Sequence, residues 1–137
     1  VSRAARFALI TIILHALVSA IHGTAHRTLN VELSRSQLVF IAIVITIAPL
    51  FAGLLIWRGA TKAGAMMLAL SMAGSLVFGV YHHFVLISPD HVSHLPGIPG
   101  AIPVIMFQAT AVLLALVEGL GVVAGIMVLK SDAAPAG

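Results

Sequence analysis

Seven histidines and no cysteine occur in a chain of 137 residues. Imidazole is the commonest protein ligand for transition metals and serves haem iron as well. Without a thiol, disulfides, thiolate ligands and iron–sulfur clusters within this chain are excluded. Six of the histidines, His22, His26, His82, His83, His91 and His94, fall near the ends of hydrophobic segments that should share one face of a membrane. They are the candidate metal ligands, with copper, iron or zinc as the ion.

Spacing sorts them into two clusters. His15, His22 and His26 stand seven and four residues apart, which on a helix places them within about 40° of one another. His22 and His26 have the separation by which one helix offers two imidazoles to one ion, though without the carboxylate of the zinc-protease motif. The second cluster runs Tyr81-His82-His83-Phe84 and continues through Ser88-Pro89-Asp90-His91-Val92-Ser93-His94. Ser71, Ser75 and Gly79 form a stripe of small residues at four-residue spacing, and His82 is expected to continue it. His83 is then turned away by about 100°. On this reading His22 and His82 face each other at matching depth. Asp90 is placed to orient an imidazole through its second nitrogen, a common partner of metal-bound histidine.

Two further polar residues lie within apolar surroundings. Glu118 shares a helical face with Ala111, Ala115, Gly121 and Gly125, so it should face protein. His15 is deeper than the other histidines and is expected near Glu118, as a proton relay, a deep metal ligand, a counter-ion pair or a hydrogen bond between helices. A carboxylate at that depth needs a cation, water or a proton. Gln108 is a candidate donor behind the histidines or a link between helices.

The elements that must position these side chains are membrane spans. Hydrophobic residues make up 61% of the chain and charged residues 8%, against about 25% charged in soluble domains. Four apolar runs, 5–26, 37–57, 64–87 and 102–129, each reach or exceed the roughly 20 residues needed to cross the hydrocarbon core as a helix. The first resembles a signal peptide, with Arg3 and Arg6 before the apolar stretch and Val18-Ser19-Ala20 after it, but is counted here as a span. The expected fold is all-α: an up-down bundle of four transmembrane helices forming one domain over 1–131, with a short mobile tail at 132–137. Arg3, Arg6, Arg58, Lys62 and Lys130 lie on one side and Arg27 and Arg35 on the other. That bias puts both termini in the cytoplasm and the histidines on the outer, periplasmic side of a bacterial inner membrane.

Several function classes drop out. The chain has no basic run with interleaved aromatics, so nucleic acid is not an expected partner. It has no phosphate-cradling glycine loop and no serine with the signature of an activated nucleophile. The expected partners are the lipid bilayer and other membrane subunits or a second copy of the chain. Three readings follow. The first is a transition-metal site at the outer end of the bundle, acting by redox or metal-hydroxide chemistry on a lipophilic substrate. The second is a haem-b electron-transfer subunit with His22 and His82 or His83 as axial ligands. The third is a non-catalytic accessory subunit of a larger membrane complex.

Overall fold

The computed structural model describes residues 2–133, with side chains through Ser131. Among the described residues it is all-helical: α1 (Arg3–Thr28), α2 (Arg35–Trp57), α3 (Thr61–Val85) and α4 (Ile102–Ala133). All four are long and apolar enough to cross a membrane. Large side chains such as Ile10, Leu17, Leu70 and Leu116 stand exposed around the outside, as expected where lipid rather than water is the solvent.

Local signals set the helix ends. The Ser2 hydroxyl accepts from the Ala5 N–H and starts α1. At its other end Asn30 adopts a left-handed conformation, φ 51°. The Val31 N–H then reaches the His26 carbonyl and the Asn30 N–H the Arg27 carbonyl. This paired closure satisfies the last free carbonyls. It also folds Val31 back onto Ala25, Phe107 and Ala111 in a buried cluster. Ser34 and Gln37 cap α2 reciprocally, the Ser34 hydroxyl accepting from the Gln37 N–H and the Gln37 side chain from the Ser34 N–H. Gly59, at φ 88°, closes α2 by the same two-bond arrangement as Asn30.

Two stretches wind more loosely, with hydrogen bonds to the fifth residue back: Ile41–Ile47 in α2 and Tyr81–Val85 in α3. The first leads into Pro49, which has no N–H to give and whose ring crowds the carbonyl four residues earlier. The second ends α3 at Val85, two residues before the expected position, with the Leu86 N–H on the Tyr81 carbonyl. α4 runs on through Ala133, past the expected end of the domain at 131. The rest of the expected tail, 134–137, lies outside the described residues.

Small residues decide how closely the helices approach. Gly53 of α2 lies over Ile12 and Leu9 of α1. A methyl on Gly64 of α3 would sit 2.8 Å from the Ala52 carbonyl oxygen of α2, and one on Gly125 of α4 would sit 2.8 Å from the Ala65 carbonyl oxygen of α3. Each of these contacts joins the late part of one helix to the early part of its neighbour. α4 packs along both α3 and α1, whereas α1 and the first half of α2 scarcely touch. No residue of Arg35–Ile47 is buried. The result is a bundle closed at the Gly53 end and split between α1 and α2 at the other.

In lipid these close approaches supply packing that water would otherwise drive. Gly125→Val and Gly64→Val are therefore expected to destabilise the chain by about 1–3 kcal/mol each. Gly119→Ala, at a position where a methyl meets nothing within 4 Å, should be close to neutral. Thermal unfolding in detergent checks all three.

Candidate metal centre

Where α1 and α3 face each other across the bundle, His22, His26 and His83 converge. One ring nitrogen from each lies within 4.8 Å of the others, an arrangement that could hold a metal ion. α1 supplies two of them from its inward stripe, which also buries Ala8, Ile12, His15, Val18 and Ala25. His83 comes from the loosely wound end of α3.

That winding explains why His83, not His82, turns inward. In a regular α-helix residues four apart drift by about 40° per step. A turn closed to the fifth residue back takes more residues, so the four-residue series Ser71, Ser75, Gly79 continues straight to His83. His82 is displaced to the outside of the bundle. There its Nδ1 accepts from the Gln37 amide at 3.3 Å, and its ring packs on Phe78. The expected pairing of His22 with His82 is thus replaced by His22 with His83, and His82 instead ties the start of α2 to α3.

The hydrogen-bond network fixes which nitrogens are free. The Thr110 hydroxyl donates to the Met106 carbonyl at 2.6 Å. It has no second proton, so His22 Nδ1, 2.8 Å away, must be the donor in that contact. His83 Nδ1 faces two acceptors of Asp90, the carbonyl oxygen at 3.1 Å and Oδ1 at 3.3 Å. It too must carry a proton. In neutral imidazoles the remaining lone pairs then reside on His22 Nε2 and His83 Nε2. These two atoms are 3.2 Å apart.

Two lone pairs at that distance repel unless a cation lies between them. The cation is either a proton or a metal ion. Two nitrogens bound to one tetrahedral ion at metal–nitrogen distances near 2.05 Å stand about 3.3 Å apart, close to the observed separation. His26 Nε2 faces Asp90 Oδ1 at 3.3 Å, and His26 Nδ1 is buried with no hydrogen-bond partner. Asp90 lies between His26 and His83. Its carboxylate oxygens are buried without an aligned hydrogen bond, so the close approaches are contacts of charge. A buried carboxylate without a cationic neighbour is strongly unfavourable. The site therefore calls for positive charge at its centre.

Phe107 forms the floor. It is fully buried, and its ring centroid is 4.6, 4.8 and 5.3 Å from those of His22, His26 and His83. Neither Phe107 nor Thr110 carried any signal in the sequence, because a phenylalanine and a threonine on an apolar helix are ordinary packing residues. Their spacing of three, on the face of α4 that also holds Ala111, Leu114 and Glu118, is visible only once that face is known.

The 86–101 loop forms the roof. The Val92 N–H takes the His83 carbonyl, and the Gln108 amide donates to the Val92 carbonyl at 2.8 Å. Gln108 thus holds the loop that carries Asp90. His91 and His94 stay on top of this loop, away from the buried trio. They pair with each other, Nδ1 to Nδ1 at 3.2 Å, and the Ser93 N–H donates to His91 Nδ1. Prolines and turns keep this segment short and superficial, so its imidazoles do not reach inward.

Below the trio, the cleft between α1 and α2 opens into a cavity of about 780 Å³. His22, His26, His83 and Asp90 line one part of it, and His15 and Glu118 line another. His15 Nε2 is 3.5 Å from Glu118 Oε1, and both residues are almost fully buried. His15 and Glu118 thus stand side by side at the edge of bonding distance.

No known protein family, curated protein or solved structure matches this chain. Function must be read from the site itself.

Thr110 gives a direct check on the assignment of His22. Thr110→Val keeps the shape but leaves His22 Nδ1–H without its acceptor. Loss of such an orienting partner typically weakens metal affinity 10–100-fold. Competition titration with a chromophoric chelator should show a drop in that range. Ala109→Val, on the exposed side of α4, should leave the affinity within about twofold, because that position has no part in orienting a ligand.

Proposed function

We propose that this chain is an integral membrane protein that binds one transition-metal ion through His22, His26 and His83, next to a cavity open to lipid. The observation that carries the reading is the 3.2 Å approach of His22 Nε2 and His83 Nε2, each left with a lone pair by the partner of its other nitrogen. The buried Asp90 carboxylate and the unpartnered His26 Nδ1 support it. Closing the trio around an ion asks His26, the least buried of the three, to move in by about 1.5 Å or less.

Three imidazoles and no sulfur suit zinc, copper or iron. Three protein ligands also leave a position free on a four-coordinate ion, the pattern of reactive rather than structural sites. When bound, such an ion supplies Lewis-acid or redox chemistry, here to a lipid-soluble substrate. The chain's own residues orient the ligands through Thr110 and Asp90 and exclude water from one side with Phe107. The lysine and arginine bias supports a site on the periplasmic side of a bacterial inner membrane.

Axial ligation of haem fits less well. It requires two nitrogens on opposite faces of a macrocycle, whereas the two Nε2 atoms are 3.2 Å apart and Phe107 packs against all three rings.

Metal titration of the purified protein tests the proposal. Zinc or copper should bind at about one ion per chain. His22→Ala and His83→Ala should each lower affinity by at least about 100-fold, while His82→Ala, His91→Ala and His94→Ala leave it within about threefold. Protons compete for the same lone pairs, so affinity should fall on acidification. Equal losses from His82→Ala and His83→Ala would contradict the assignment.

A further inference from the structure

Glu118 is a buried carboxylate that the metal site does not use. It is only 3% exposed. His15 Nε2 stands 3.5 Å from Glu118 Oε1 and is itself 3.4 Å from the Ser19 hydroxyl, both at the outer limit of bonding distance. All three side chains line the cavity. The carboxyl group, the imidazole and the hydroxyl therefore form a loosely satisfied polar pole in a chamber whose other polar side chains include those of the histidine trio and Asp90. His15 and His22 are two turns apart on α1, about 10 Å along the axis, whereas Glu118 lies nearer the third ligand: a Cβ on Gly79 would meet Glu118 Oε2 at 3.7 Å and His83 Cδ2 at 3.9 Å.

The chamber reaches the surface between α1 and α2. Ala20, Leu38, Thr46 and Leu50 line it and are also exposed. In a bilayer that mouth faces acyl chains, so a molecule dissolved in lipid can enter sideways. A volume near 780 Å³ lies within the range of pockets that enclose one small organic ligand.

We infer that the chamber is a binding site for a lipid-soluble molecule with a hydroxyl head, the head donating a hydrogen bond to Glu118 while the apolar body extends toward the mouth between α1 and α2. A hydroxyl complements this pole because it donates to the carboxylate and accepts from His15 or Ser19. A hydrocarbon of the same shape leaves the pole unmatched. Sites built to bond a hydroxyl reject analogues that lack it far more strongly than apolar pockets reject a change of size. Such a molecule is the substrate class for the cavity of the proposed metal protein, but its recognition rests on Glu118 and His15 and holds with or without the ion.

The test uses the full chain in lipid nanodiscs, with 4-octylphenol and octylbenzene as probes and binding to empty nanodiscs subtracted. The expected result is saturable binding of about one octylphenol per chain, at least tenfold tighter than octylbenzene. Glu118→Leu should abolish that preference. Gly23→Trp should block both probes, because Gly23 lines the cavity and a Cβ there meets nothing within 4 Å. Helical circular dichroism and thermal unfolding of Gly23→Trp should match the wild type, which shows that the chain is folded. Equal affinity for the two probes, saturable binding of neither, or full binding by Gly23→Trp would overturn the inference. Loss of zinc binding with the octylphenol preference intact would instead overturn the metal reading alone.

Discussion

Everything at the histidine end of this bundle depends on two imidazoles held nose to nose in an apolar interior. Each has its far nitrogen committed: His22 Nδ1 to Thr110 and His83 Nδ1 to Asp90. The near nitrogens are thereby left as acceptors 3.2 Å apart, with no donor to separate them. A proton can occupy that gap, and so can a metal ion; a neutral, empty gap is the one state the geometry disfavours. The arrangement is costly to maintain, and the surrounding structure shows what holds it. The Asn30 closure fixes the end of α1 beside His26, the Val92–His83 bond fixes the loop, and Phe107 fills the space beneath all three rings.

The bundle positions the site through unequal packing. Glycines at 53, 64 and 125 draw the helices together at one end. At the other end the first half of α2 buries nothing, and the looser winding of Ile41–Ile47 accompanies its divergence from α1. A cavity results with two polar poles, one of imidazoles and one built on Glu118. The same asymmetry that stabilises the closed end opens the histidine trio to the cleft.

Much of this was legible in the residues. Hydrophobic length identified the four spans, and helical phase placed His15, His22 and His26 on one stripe, with Glu118 within reach of His15. Asp90 stood where an orienting carboxylate was expected. The choice between His82 and His83 was not legible, because it turns on winding: regular α-geometry favours His82, and a five-residue closure favours His83. Local propensity does not encode that closure, which arises where α3 ends against its loop. Thr110 and Phe107 were invisible for a different reason. Their roles come from what stands opposite them, not from their types or spacing. His91 and His94 looked like ligands by type and proximity in sequence, but the turn-rich loop keeps them on its outer surface.

X-ray absorption at the zinc edge of the zinc-loaded chain tests the central claim most directly. The expected first shell contains three imidazole nitrogens at about 2.0 Å, unchanged in His82→Ala and reduced by one in His83→Ala. A shell made of oxygen alone, or one that loses an imidazole with His82→Ala and none with His83→Ala, would contradict it.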